Sequence, residues 1–156
     1  MAVSTTQSIW RSGGGDQTRT AYCGSGVMAA EFYIADDSVS GNVKVSSVAN
    51  APALILPSGA VVLSVVVTTV DGTASAAIDL GTTGVVSGTV DANAIAVALP
   101  VDAVGTTSIG AIVTGTPLPA MSYITSADNG TSAGGDPVAG VITYFVTDPL
   151  VGQQNV

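Results

Sequence analysis

From about residue 26 onward, apolar and polar residues alternate in short runs. Met28, Ala30, Phe32 and Ile34 fall on one face, with Ala29, Glu31 and Tyr33 on the other. Val43 and Val45 alternate with Asn42, Lys44 and Ser46. Val61, Leu63, Val65 and Val67 line one face, with Val62, Ser64, Val66 and Thr68 opposite. Asn93, Ile95, Val97 and Leu99 alternate with Ala94, Ala96 and Ala98. Near the end, Val138, Ile142, Tyr144 and Val146 oppose Ala139, Val141, Thr143 and Phe145. A period of two over short runs predicts half-buried strands.

Turn chemistry separates these runs: Asp36-Asp37, Asn50-Ala51-Pro52, Pro57-Ser58-Gly59, Asp71-Gly72, Asp128-Asn129-Gly130 and Gly134-Gly135-Asp136-Pro137. Gly and Asn supply the positive φ of tight turns, and Pro fixes φ. Asp71-Gly72 between Val-rich flanks predicts a β-hairpin. The pattern leaves room for a short helical turn near 116–121 and otherwise implies an all-β fold. The expected architecture is an antiparallel β-sandwich or jelly roll over residues 26–148. Val-Asp recurs at Val70-Asp71, Val90-Asp91 and Val101-Asp102, and Gly-Thr-Thr at 81–83 and 105–107. The unequal spacings read as reused turn chemistry and not as a solenoid.

Residues 1–25 lack either period. They hold the flexible stretch Ser12-Gly13-Gly14-Gly15-Asp16, the single Trp10, and two of the three basic residues, Arg11 and Arg19. The segment reads as an extended arm with an aromatic anchor, disordered alone or ordered by a partner. Residues 149–156 read as a C-terminal tail. Met1–Gln7 shows no basic region followed by an apolar one, so no secretory signal is expected, and synthesis in the cytosol is. The longest apolar run, Ala60–Val67, is broken by Ser64 and falls short of the roughly 20 residues a membrane-spanning helix needs.

Composition narrows the function. The chain has no histidine, one cysteine (Cys23) and one glutamate (Glu31) in 156 residues. Acid–base and nucleophilic catalysis near pH 7 draw on just these residue types, so an enzyme is not expected. Charged residues make up 9%, against about 25% in typical soluble domains. Much of the surface is therefore neutral or covered by partners. The net charge of −8 disfavours nucleic acid and anionic membrane surfaces as partners. Apolar residues reach 47% but aromatics only 4%, so the core must be built from small aliphatic side chains. One cysteine forms no intrachain disulfide, and without a histidine base Cys23 reads as an inert thiol.

Several motifs carry a chemical reading beside a plainer one. Gly24-Ser25-Gly26-Val27-Met28-Ala29 fits a dinucleotide fingerprint, which works only between a strand and a helix. Here a strand-like run follows, so a hinge into the first strand is the simpler reading. Asp36-Asp37 with Glu31 could supply the carboxylate pair of a glycosidase, or could be a solvated turn. Asp71, Asp91, Asp102, Asp128 and Asp136 could gather around Ca²⁺ if their loops converged, though no EF-hand spacing occurs. Asn129-Gly130-Thr131 fits a glycosylation sequon and reads as a turn. No cofactor is expected.

The opening Thr5-Thr6-Gln7-Ser8-Ile9-Trp10-Arg11-Ser12-Gly13-Gly14 resembles the starts of small virion proteins of tailed double-stranded DNA phages, cyanophages among them. Similar stretches run from Leu56 to Val65, from Ala77 to Gly84, and over Val141-Ile142-Thr143-Tyr144. The chain thus resembles capsid decoration (cement) proteins. The resemblance implies a jelly-roll-like body, commonly a homotrimer, on the outer face of an icosahedral capsid. It implies an N-terminal segment in contact with the major capsid protein, anchored by Ile9, Trp10 and Arg11, and no catalytic residues. With the remaining basic and aromatic groups of the arm, the expected capsid-binding set is Ile9, Trp10, Arg11, Arg19 and Tyr22. Two other readings stay open: a head-fibre or tail-associated β-sandwich that binds host glycan, and a carbohydrate-active enzyme using Asp36, Asp37 or Glu31.

Overall fold

The computed structural model describes residues 27–71, 76–105, 107–109, 111–112, 115–129 and 135–147. Ten strands lie among them: β1 (Met28–Ile34), β2 (Gly41–Asn42), β3 (Ile55–Leu56), β4 (Ala60–Thr69), β5 (Ala77–Gly84), β6 (Val90–Pro100), β7 (Thr107–Ile109), β8 (Ala111–Ile112), β9 (Ser122–Asp128) and β10 (Val138–Val146). No helix occurs among the described residues. One sheet has the order β1-β10-β4-β7; the other has β2-β9-β5-β6-β8, with β3 also paired to β9. All pairings are antiparallel. This is an antiparallel all-β sandwich, the fold class that the alternating pattern predicts.

The two inner faces share one core. Phe32, Ile34, Val62, Val65, Val67, Val138 and Ile142 come from the first sheet, and Leu56, Ile78, Leu80, Ile95, Leu99 and Ile124 from the second. Phe32 is the one aromatic among the fully buried side chains described. Its ring lies over Gly140, its cross-strand partner, where a Cβ would come within 2.4 Å of the ring. The glycine makes room for the largest core side chain.

Each long side of the sandwich is closed by a segment that bonds to both sheets. On one side, the Val43 N–H donates to the Ile124 carbonyl of β9 at 2.9 Å, and Tyr33 of β1 and Lys44 exchange N–H to O bonds of 2.8 and 2.9 Å. On the other side, β7 pairs with β4 and β8 with β6, so the chain changes sheet between them. Unpaired sheet edges invite aggregation, and this arrangement covers much of them.

The register departs from strict alternation in two strands. In β4 the partner of Tyr144 is Val62, but that of Thr143 is Ser64. Leu63 is the extra residue of a bulge. It is 45% exposed, and the inward set switches from Ala60 and Val62 to Val65 and Val67. The expectation that Leu63 shares a face with Val65 and Val67 is therefore corrected. In β6, Ile95 and Ala96 are both buried, whereas Val97 is half-buried and Ala98 is exposed. Between the pairs Ile78–Leu99 and Leu80–Ala96, β6 carries one residue more than β5. Ala98 takes up the slack at φ 50°. Its N–H donates to Asp79 Oδ1 at 2.8 Å, an acceptor that helps hold an alanine in a region costing about 1–2 kcal/mol.

Two further expectations change. Asp71-Gly72 joins no hairpin, because β4 lies in the first sheet between β10 and β7 while β5 lies in the second. The chain crosses the sandwich there. The hairpin partner of β5 is β6, through a turn in which the Gly84 N–H donates to the Thr89 carbonyl and the Gly88 N–H to that of Gly84, both at 2.9 Å. Near 116–121 the chain forms an irregular loop instead of a helical turn. The Leu118 N–H donates to the Ala60 carbonyl, and the Gly59 N–H to the Leu118 carbonyl. Bonds to β4's start replace a helix's internal ones.

Gly81 and Thr82, read from sequence as turn residues, lie inside β5. A Cβ on Gly81 would come within 2.3 Å of the Asp91 carbonyl oxygen, because β6 folds across it between the pairs Thr82–Asp91 and Leu80–Ala96. At Gly41 a Cβ would meet nothing within 4 Å. Gly81→Val is expected to destabilise the fold by about 2–3 kcal/mol, and Gly41→Val to stay within about 0.5 kcal/mol of wild type. Chemical denaturation of both variants checks this; equal stabilities would contradict the close approach.

Candidate interaction surfaces

The strand directions give the sandwich two different ends. At one, which we call the hairpin end, lie the turn 57–59, the β5–β6 turn, the loop 115–121, the start of β1 and the finish of β10. Gly59 ties three of these together. Its carbonyl accepts from the Thr147 N–H and hydroxyl at 2.8 Å, and its N–H reaches Leu118. The Val85 N–H donates to the Met121 carbonyl at 3.0 Å, and the Ser58 hydroxyl to that of Pro119 at 3.3 Å. At the opposite end lie the chain after β1, the crossover after β4, the loop after β6 and the approach to β10. The Gly105 N–H donates there to the Thr69 carbonyl at 2.7 Å.

Charge follows this division. Asp36, Asp37, Asp71, Asp102, Asp128 and Asp136 all lie at the second end, hereafter the acidic end. Asp91, near the start of β6, lies at the hairpin end, and Glu31 lies midway along β1. The sequence could not show this grouping, because these aspartates belong to loops distant in the chain.

The expected carboxylate pair is not assembled. Glu31 lines a cleft with Tyr33, Val66 and Val141 on the outer face of the first sheet. Asp36 lines a different cleft, with Tyr33 and Lys44. Asp37 is 1% exposed, and its Oδ1 accepts the Asp136 N–H at 3.0 Å. The Asp37 N–H in turn donates to the Asp136 carbonyl at 3.1 Å. Asp37 is thus no solvated turn residue; it locks the approach to β10 onto the turn after β1. Asp36 accepts from the Ser38 N–H at 2.9 Å, a local turn bond. Among the described residues no three acidic, His or Cys side chains gather to hold a metal ion. Asp91 lies at the far end from the other four loop aspartates.

A third cleft, of about 560 Å³, opens at the hairpin end. Thr82, Thr89, Asp91, Asn93 and Ser122 supply its polar groups, and Pro117 and Pro119 its apolar rim. Among the described residues it holds one carboxylate and no aromatic ring. Glycoside hydrolysis usually uses two carboxylates about the scissile bond, and among the described residues each of these three clefts presents one.

The remaining motifs are accounted for in part. Met28 and Ala29 are the first residues of β1, so no helix N-terminus follows residues 24–26 to receive a pyrophosphate. Asn129 bonds through its side chain to Asp79, and through its N–H to the Ala77 carbonyl at 2.9 Å. The arm residues Ile9, Trp10, Arg11, Arg19 and Tyr22, and Cys23, lie outside the described residues.

No family model and no curated protein sequence matches the chain. Solved structures do resemble it. A chain in the acid-stable capsid of Helicobacter pylori bacteriophage KHP30 superposes with a TM-score of 0.54 at 14% identity, covering 80% of this chain and 91% of that one. One in the capsid of Ralstonia phage GP4 gives 0.54 at 18% identity, over 91% and 94%. One in the capsid asymmetric unit of cyanophage Pam1 gives 0.48 at 20%, over 86% and 97%. The chain shares the fold of the first two.

Asp37→Asn tests the structural reading of the buried carboxylate. The amide leaves an acceptor for Asp136 but removes the charge-assisted bond, and a loss of about 1–3 kcal/mol is expected. The exposed Glu31→Gln should leave stability unchanged. Thermal denaturation reads both; an Asp37→Asn variant as stable as wild type would contradict the lock.

Proposed function

We propose that this chain is a non-enzymatic virion protein that binds the outer surface of an icosahedral phage capsid and cements adjacent major capsid protein subunits. The observation that carries the reading is the match of nearly the whole sandwich to chains found in two phage capsid structures. Packaged DNA pushes capsid subunits apart, and a clip across their boundaries adds contact area that resists the separation. Many identical copies sum modest individual affinities.

In this reading the arm docks on the major capsid protein through Ile9, Trp10, Arg11, Arg19 and Tyr22. Trp, Tyr and Arg are the types that most often dominate interface energies. The body assembles as a homotrimer, its low charge leaving neutral surface to bury between copies. A head-fibre or tail-associated glycan binder is the second reading, and the polar cleft beside Asp91 and Asn93 is what favours it.

Capsids lacking the protein provide the test. Added wild-type chain should bind them in hundreds of copies and raise the temperature at which they rupture. A handful of copies per particle, or binding with no change in rupture, would contradict cementing. Deletion of residues 2–22 should abolish binding, and Trp10→Ala should weaken it by about 2 kcal/mol. Full decoration by the deletion variant would move the contact to the body. Native mass spectrometry at micromolar concentration should show a trimer; a strict monomer in solution and on the particle would refute it.

A further inference from the structure

We infer that the hairpin end of the sandwich is the surface that sits on the capsid shell, with the acidic end turned outward to solvent. The inference rests on the cementing role proposed above and adds which part of the body makes the contact.

Three observations converge on it. The first is exposed apolar surface. Val86, at the tip of the β5–β6 turn, is 95% exposed, Val90 65% and Met121 48%. Backbone bonding between Val85 and Met121 draws the turn and the loop together, so these side chains belong to one tip and are not scattered. Val27 and Met28, at the start of β1, are exposed at the same end. Such a patch gains from being covered by protein.

The second is charge. Val70 and Val104 are exposed at the acidic end too, but exposed Asp71, Asp102 and Asp128 lie at that same end. Burying those carboxylates against another protein would strip their water, a cost that is recovered only if cations meet each one. The hairpin end carries Asp91 alone among the described residues, so it can be covered at far smaller cost. The surface that fits it is apolar and near neutral.

The third is where the chain leaves. The described body begins at Val27 and finishes at Thr147, and both lie at the hairpin end. The 26 residues before Val27, with Trp10, Arg11 and Arg19, are rooted there. An arm bound to the shell and a sandwich tip bound beside its root can engage together without the arm running the length of the body. Two linked contacts then reinforce each other through effective concentration.

The test uses full-length chain and capsids lacking it, with two double variants. Val86→Asp with Met121→Asp should weaken binding at least tenfold while the oligomer mass stays that of wild type. Val70→Asp with Val104→Asp, at the acidic end, should bind as wild type does. Should the first double variant fail to fold, Val86→Asp alone decides, since its side chain makes almost no contact within the chain. The inference is overturned if the hairpin-end variants bind normally, if the acidic-end pair loses binding instead, or if the hairpin-end variants dissociate the oligomer, which would assign this end to a second copy. Wild-type chain that does not bind capsids at all would instead overturn the cementing role.

Discussion

The two sheets, lined inside mostly by valine, isoleucine, leucine and alanine, close on each other along both long sides around one core. The backbone supplies that closure. Val43 bonds to β9 while its neighbour Lys44 bonds to β1. On the opposite side β7 and β8, separated by one residue, pair with different sheets. The core between them is built mainly from small aliphatic side chains, and its one buried aromatic ring among the described residues, Phe32, lies over Gly140. The surfaces left for contact with other molecules are the ends and the outer faces.

The ends are built unalike. At the hairpin end, Gly59 receives Thr147 and reaches Leu118, so the turn before β4, the loop before β9 and the finish of β10 form one bonded platform. At the acidic end, Asp37 and Asp136 join two loops by paired bonds. Both devices fix loops by hydrogen bonds, some between backbone groups and some from side chain to backbone. The polarity of charge between the ends is a property of the fold alone. In the chain, these aspartates are spread from residue 36 to 136.

Much of the fold was legible because β1 and β10 alternate cleanly, with Phe32, Ile34, Val138 and Ile142 on the inner face as the pattern places them. Legibility failed where a bulge intervened. A period of two cannot foresee the extra Leu63 in β4 or the turn of Ala98 to positive φ in β6, because both depend on the partner strand. It also passed over β5 and β9 as strands. In β5, Asp79, Gly81 and Thr82 are buried beside Ile78 and Leu80, which erases the alternation. In β9 the buried positions are Ser122, Ile124 and Ser126, too polar to announce a core face. The Asp71-Gly72 turn misled because turn chemistry reports a reversal and not which sheet receives the next strand. The expected docking residues of the arm rest on residue type, and the hairpin-end surface became visible only once the loops were placed together.

The central claim is that this chain is a clip on the outside of a capsid. Cryo-electron microscopy of intact particles tests it most directly. The result expected is a repeated sandwich-shaped density on the outer shell, spanning boundaries between major capsid subunits, into which β1 to β10 fit. Density for this chain confined to a tail or fibre, or absent from the shell of particles that contain the protein, would contradict it.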